Sequence, residues 1–214
     1  LFDAGHYAEA LALAEGTVAG SEEQKEALLY VMAGSTCFLG EYQRSLDLTA
    51  KYSDEYPAGE HSTSVEYFRG VSYARLGFAA LARPILEKIA GVTTVEGEQY
   101  YAQYELAMLD FEYASFIDAQ KRLAEMLELE LFPSLRVQVH LLSARTSAIL
   151  RDREAAEASY LETLELSRSA QLPELEQEVL FYLIAFYGRE KVAYELNPDI
   201  EKCLPYYEEF FEKF

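Results

Sequence analysis

The sequence is poor in the residues that most enzymes and small secreted domains depend on. Cysteine occurs twice, at Cys37 and Cys203, far apart, with no C-x-x-C and no histidine spacing to match. That pattern points to neither a zinc site nor a disulfide framework. Histidine occurs three times, at His6, His61 and His140, with no H-E-x-x-H and no pair at helical spacing. A histidine metal centre is therefore not indicated. Tryptophan is absent, and the 11 glycines and 6 prolines are too few for many short strands joined by tight turns. Long helices fit better. Basic residues number 18 against 37 acidic ones, for a net charge of −19. Nucleic-acid binding needs clustered Lys and Arg, so it is disfavoured, as is an anionic membrane surface. No apolar run reaches the ~18 residues of a membrane span. The chain opens at Leu1 as if inside a structural unit, so the lack of a leader carries no information on localisation.

What is present is a repeat. Half of the residues are hydrophobic, with 17 tyrosines and 12 phenylalanines among them. Starting from Gly40 and stepping by 37 leads to Gly77, Ala114 and Arg151. Seven residues before each stand Ala33, Gly70, Ala107 and Ala144, all small. Five residues after stand Ser45, Ala82, Ala119 and Ala156, again all small. Leu86, Leu123 and Tyr160 fall four residues beyond the last three of these. A partial unit precedes, with Gly5 as its joint and Ala10 as its small residue. A divergent unit follows Pro173, in which Gly188 and Ala193 keep register but Phe181 replaces the small residue.

Within each unit the apolar period is helical, as in Tyr67, Gly70, Tyr73 and Ala74. The spacing predicts a helix, a joint and a second antiparallel helix. The small residues mark the place where the two backbones approach most closely. Breakers at Tyr56-Pro57, Gly91, Phe132-Pro133 and Leu172-Pro173 separate the units. The expected boundaries are 1–20 for the partial repeat, then about 26–57, 63–91, 98–133 and 135–172, with a closing unit at 174–214. The stretch from Val179 to Leu196 reads as helix, broken at Gly188 and ended by Pro198, before a last helix over 199–214. Pro84 predicts either a kink or a second helix that starts late, near Leu81.

These residues resemble the tetratricopeptide repeat. Gly70, Tyr73, Gly77 and Ala82 match that family's pattern position by position. Thr36, Asp110 and Ser147 depart from it where an aromatic is usual. Leu29, Glu66, Gln103 and His140 stand where a tryptophan is usual, and the period is longer than the customary ~34 residues. The resemblance implies an all-α superhelical solenoid of antiparallel helix pairs, with period about 37 residues over residues 1–214. It also implies a non-enzymatic protein–protein interaction scaffold that holds a partner segment in a concave groove. The alternative is a peptide-sensing or accessory region of a larger protein. A narrower likeness rests on Asp54-Glu55-Tyr56-Pro57 and Phe132-Pro133. It is to the periplasmic repeat proteins of bacterial outer-membrane assembly and Tol–Pal coordination, and it implies a periplasmic location.

In that family the first helix of each pair lines the groove. Carried over, the expected binding residues are Tyr30, Phe38, Tyr67, Arg75, Tyr101, Tyr104, Met108, Phe111 and Arg145. Tyrosine and arginine often dominate interface energy. The expected partner is a protein or peptide, basic or aromatic-rich; the acidic balance would attract a basic segment, although such a balance is more often a solvated surface, and no cofactor is called for. The Lys and Asn positions of a carboxylate clamp are missing. Gly70-Val-Ser-Tyr-Ala is close to a hydrolase nucleophile elbow, but an elbow needs a strand before the serine. Here Ser72 falls mid-helix. Glu105 and Glu112 share a helix face and read as surface.

Overall fold

The computed structural model describes residues 2, 5–92, 97–188, 191–192, 195–196 and 199–214. The chain is all-α, built as a tetratricopeptide-like solenoid of helix pairs. Its helices are α1 (Tyr7–Gly16), α2 (Glu22–Phe38), α3 (Tyr42–Glu55), α4 (Ser62–Arg75), α5 (Ala79–Ala90), α6 (Glu98–Glu112), α7 (Phe116–Leu127), α8 (Pro133–Ile149), α9 (Arg153–Ser169), α10 (Pro173–Gly188) and α11 (Ile200–Lys213). A two-stranded antiparallel hairpin, β1 (Lys191–Val192) and β2 (Glu195–Leu196), lies between α10 and α11. The contacts divide the chain into two compact units, Leu1–Leu109 and Asp110–Phe214.

Local signals in the sequence set the helix starts. Ser21 accepts from the backbone N–H of Gln24, and the Gln24 side chain accepts from the N–H of Gly20. This reciprocal cap satisfies two donors that the helix start leaves open. Asp152 and Asp199 cap α9 and α11 one way, each accepting from a backbone N–H, of Ala155 and Lys202 respectively. Pro133 opens α8, where its missing N–H costs nothing.

The joints all use one device. Gly40, Gly77, Ala114 and Arg151 have φ of +80°, +82°, +62° and +63°. At Gly77 the N–H donates to the carbonyl of Ala74 at 3.0 Å, and the N–H of Phe78 donates to that of Tyr73 at 2.8 Å. The same pair of bonds recurs at Gly40, Ala114 and Arg151. This left-handed cap closes the open carbonyls of the first helix and reverses the chain. Gly5 has the same hand at φ +79°. Glycine adopts it without penalty, whereas Ala114 and Arg151 do so at a cost of about 1–2 kcal/mol each.

The small residues sit where the helices touch. Ala33, Ala107, Ala144, Ser45, Ala82, Ala119 and Ala156 are fully buried, and so is Gly70. A Cβ on Gly70 would lie 2.9 Å from Cδ2 of Leu86 and 3.2 Å from Ile85. In the first unit, Leu86, Ile89, Phe68, Val71, Leu106 and Leu109 form the core around these contacts. In the second, Leu141, Leu164, Val179, Leu180 and Leu183 do so, with Tyr160 and Tyr187. Each fully buried leucine contributes about 1.5–3 kcal/mol relative to an exposed one.

Three expectations need correction. The second helix of the Gly77 hairpin starts at Ala79, not late, and Pro84 lies inside it. Pro84 is exposed, so the carbonyl it leaves unbonded is on a side that water can reach. The Lys191–Leu196 stretch contributes strands rather than helix. Gly188 ends α10 before it, and the β-branched Val192 suits a strand. Ala193 and Pro198 lie outside the described residues. Finally, Glu105 is buried rather than on the surface and accepts from Arg75 at 2.9 Å.

Candidate partner-binding surface

The face expected to line the groove behaves differently in the two units. In the first unit it is largely filled. On α2, Gly34 and Cys37 are buried, while Tyr30 is half-buried and Phe38 exposed. The ring of Phe2 lies over Gly34, so a Cβ there would come within 2.4 Å of it. Phe2 also meets Tyr30, Phe38 and Phe68 at ring-centroid distances of 5.3–6.3 Å. His61 stacks on Tyr30 at 4.0 Å.

On α4, Val71 and Ala74 are buried, and Tyr67 is only 7% exposed. Burial pushes the Tyr67 phenol well above its ordinary pKa, and its ring packs on Phe68 and Tyr101. Tyr67 is therefore almost closed off from solvent and packs as part of the first-unit core. Arg75 is half-buried in its pair with Glu105. Tyr101, Tyr104 and Met108 on α6 are half-buried. Ser72 is fully buried in α4 with its Oγ 3.7 Å from Cys37 Sγ. Burial raises that thiol to about 12, so it stays protonated at neutral pH and is a poor nucleophile.

In the second unit the face opens. A cleft of about 750 Å³ is lined by Phe111 of α6; Arg145, Ala148 and Ile149 of α8; Arg151 at the joint; Arg153 and Tyr160 of α9; and Tyr182, Ala185 and Phe186 of α10. Its volume is within the usual range of ligand pockets, about 300–1,000 Å³. The guanidinium of Arg145 lies between two rings, 4.8 Å from the centroid of Phe111 and 4.6 Å from that of Tyr182. Arg153 stands 5.2 Å from the ring of Phe186. Each such contact is worth about 0.5–2 kcal/mol, the higher figure applying where water is excluded. Burial pushes the Tyr160 phenol up to about 12, so its hydroxyl remains a hydrogen-bond donor and acceptor. Among the described lining residues there is no Asp or Glu.

Of the expected residues, the cleft brings together Phe111 and Arg145. It leaves Tyr30, Phe38, Tyr67, Arg75, Tyr101, Tyr104 and Met108 in the first unit. The sequence reading missed Tyr182, Ala185 and Phe186. One further step of 37 from Arg145, Ala148 and Ile149 lands on each of them. The signal was present in the spacing, but the expected groove residues end at Arg145. Arg151, Arg153 and Tyr160 were missed as binding residues because they lie on the joint and the second helix.

Among the described residues, no group of three or more His, Cys, Asp or Glu is placed to hold a metal ion. No helix among them is long and apolar enough to cross a membrane.

No family model and no curated protein matches the chain. Solved structures do. It is similar to MamA AMB-1 in crystal form P212121, at 20% identity over 78% of this chain and 93% of that one, with a TM-score of 0.54. It is similar to MamA RS-1, as an ArsTM double mutant, at 19% identity over 79% and 90%, with a TM-score of 0.56. MamA MSR-1 in crystal form C2 matches at 19% identity over 78% and 91%, with a TM-score of 0.51. The chain thus shares the tetratricopeptide-like, all-helical fold of these proteins.

Proposed function

We propose that the protein is a non-enzymatic interaction scaffold that holds a segment of a protein partner against the first helices of its repeats. The observation that carries this reading is the second-unit cleft. It is built from the same helix positions in α6, α8 and α10, and it presents rings and guanidinium groups together. Such a surface works by shape, stacking and directed hydrogen bonds. The half-exposed aromatics of the first unit, Tyr30, Phe38, Tyr101 and Tyr104, are a second contact area in this proposal, as are Arg75 and Met108. The aromatic-proline linkers at Tyr56-Pro57 and Phe132-Pro133 support a periplasmic adaptor as its setting.

The test is a photocrosslinking amino acid placed at Ile149, which is 46% exposed at the cleft, in cells that express the full protein. A discrete protein adduct is expected, lost in the Arg145→Glu variant at unchanged expression. A control crosslinker at Glu165, exposed on α9, should give no such adduct. Equal labelling at both positions, or an adduct indifferent to Arg145→Glu, would overturn the reading.

A further inference from the structure

The charge of the whole chain and the charge of the cleft have opposite signs. The chain carries −19, yet three arginines and no described carboxylate line the cleft. A diffuse surface charge is screened beyond roughly 8 Å at physiological ionic strength. A ligand inside the cleft therefore feels the nearest groups, among them Arg145 and Arg151. We infer that the cleft formed by Phe111, Arg145, Arg151, Arg153, Tyr182 and Phe186 reads an acidic residue, Asp or Glu, beside an apolar or aromatic one in an extended partner segment. This inference rests on the scaffold reading and names the chemistry of the segment.

The geometry supports a side-chain carboxylate in three ways. First, Arg145 is held by ring faces and makes no ion pair among the described residues. The Phe111 and Tyr182 rings both lie within 5 Å of its guanidinium carbon, and a guanidinium offers its N–H groups at its edge. A carboxylate accepts two parallel N–H bonds from that edge. The two ring contacts restrain the side chain beforehand, so less of its freedom is lost on binding. Second, Arg151 is exposed at the mouth on a joint of φ +63°, and it too has no carboxylate partner among the described residues. It adds a second donor fork at the entrance. Third, the Phe186 ring and the Ile149 and Ala185 side chains give an apolar wall beside the cations, which suits an apolar neighbour of the acid. A polyanion such as nucleic acid is disfavoured, because its charges would extend past this small basic site onto an acidic surface.

Because the segment is unidentified, the probe is a displayed library of random twelve-residue peptides whose C-termini are joined to the display protein. Any carboxylate selected is then a side chain. Selection on the whole protein is expected to enrich Asp or Glu next to Phe, Tyr, Leu or Ile. Selected peptides, made with amidated C-termini, should bind about tenfold or more weakly when Gln or Asn replaces the acid. They should lose a similar factor to Arg145→Gln and a smaller one to Arg151→Gln. Arg145→Lys should fail to restore binding, since an ammonium has neither the plane nor the fork. Arg151 is exposed, so Arg151→Gln remains informative if Arg145→Gln unfolds. Enrichment of Lys or Arg, no charge preference, or no enrichment over the Arg145→Gln protein would overturn the inference. If the Ile149 crosslink in cells still depends on Arg145 in that case, the scaffold reading stands while the acidic-segment inference fails.

Discussion

Ser45 donates its hydroxyl to the carbonyl oxygen of Ala33 at 3.0 Å across the α2–α3 hairpin. Both residues belong to the repeated small positions, and both are fully buried. A helix backbone is close enough to a neighbouring side chain to accept its hydrogen bond only where neither residue is bulky. Ser45→Ala keeps the small size and loses the bond, at about 0.5–1.5 kcal/mol. Ser45→Leu forces the helices apart and should cost about 1–3 kcal/mol. Urea unfolding measures both. Equal stability of Ala and Leu at this position would mean that close approach does not set the hairpin.

The four joints allow an internal comparison. Nothing lies within 4 Å of a Cβ built on Gly77, so Gly77→Ala tests the backbone alone. Its left-handed φ makes the change unfavourable by about 1–2 kcal/mol. The lower entropy of the unfolded chain offsets part of that. A net loss of about 0.5–1 kcal/mol is expected. Ala114→Gly is the reverse exchange at the equivalent joint and should stabilise by a similar amount. Thermal melts of the two variants should move in opposite directions.

The packing and binding roles of the tyrosine and arginine positions separate cleanly. Tyr67 is 7% exposed and belongs to the first-unit core. Tyr67→Ala should cost about 3–5 kcal/mol, as large aromatic truncations do. Arg145 is half-buried and touches two rings, so Arg145→Ala should cost no more than about 2 kcal/mol. Denaturant titration of both variants checks the order. A milder effect at Tyr67 than at Arg145 would show that the Tyr67 ring is not a principal packing element of the first unit.

The hairpins were legible in the sequence because close approach restricts residue type. Only Gly fits without a shift where Gly70 meets Leu86, and Ala stands at the equivalent places at Ala33, Ala107 and Ala144, so the register is written in small residues every 37 positions. The joints were legible for a related reason, since Gly40 and Gly77 mark left-handed caps. The cleft was only half legible. Phe111 and Arg145 came from the first-helix pattern, but whether a groove position is open depends on what covers it. Phe2, three residues before a joint glycine, covers Gly34 in the first unit, and no spacing rule announces that. The charge of the cleft was hidden as well. A chain with twice as many acids as bases says nothing of where its arginines converge. The β1–β2 hairpin was misread because a few residues of apolar character fit either period.

The closing helix α11 is held to the second unit by buried and half-buried ion pairs, and these make its attachment sensitive to acid. Glu176 is 4% exposed and accepts from Lys213 at 2.7 and 2.8 Å and from Arg168 at 2.9 Å. Arg168 also reaches Glu209, and Glu157 accepts from Lys202 at 2.6 Å and Tyr187 at 2.9 Å. Burial alone would raise the Glu176 pKa, but hydrogen bonds from Lys213 and Arg168 outweigh it and hold the pKa below 4.5. The bond from Lys202 lowers that of Glu157 in the same way, against a smaller opposing effect of burial. Both folded pKa values lie below the unfolded ones. The stabilisation is therefore complete above about pH 4.5 and is lost as the pH falls through the depressed folded values. Because Lys213, Arg168 and Lys202 are each more than a third exposed, solvent screening keeps each pair modest. Hydrogen exchange of α11 amides, corrected for intrinsic rates, should be slow at pH 6. At pH 3 it should rise relative to the amides of α8, whose core residues Leu141 and Ala144 rely on apolar packing. Glu176→Gln should raise α11 exchange already at pH 6 and flatten its pH dependence. Equal protection of α11 and α8 at both pH values would show that apolar contacts of Tyr206 and Phe210, rather than these charges, hold the helix in place.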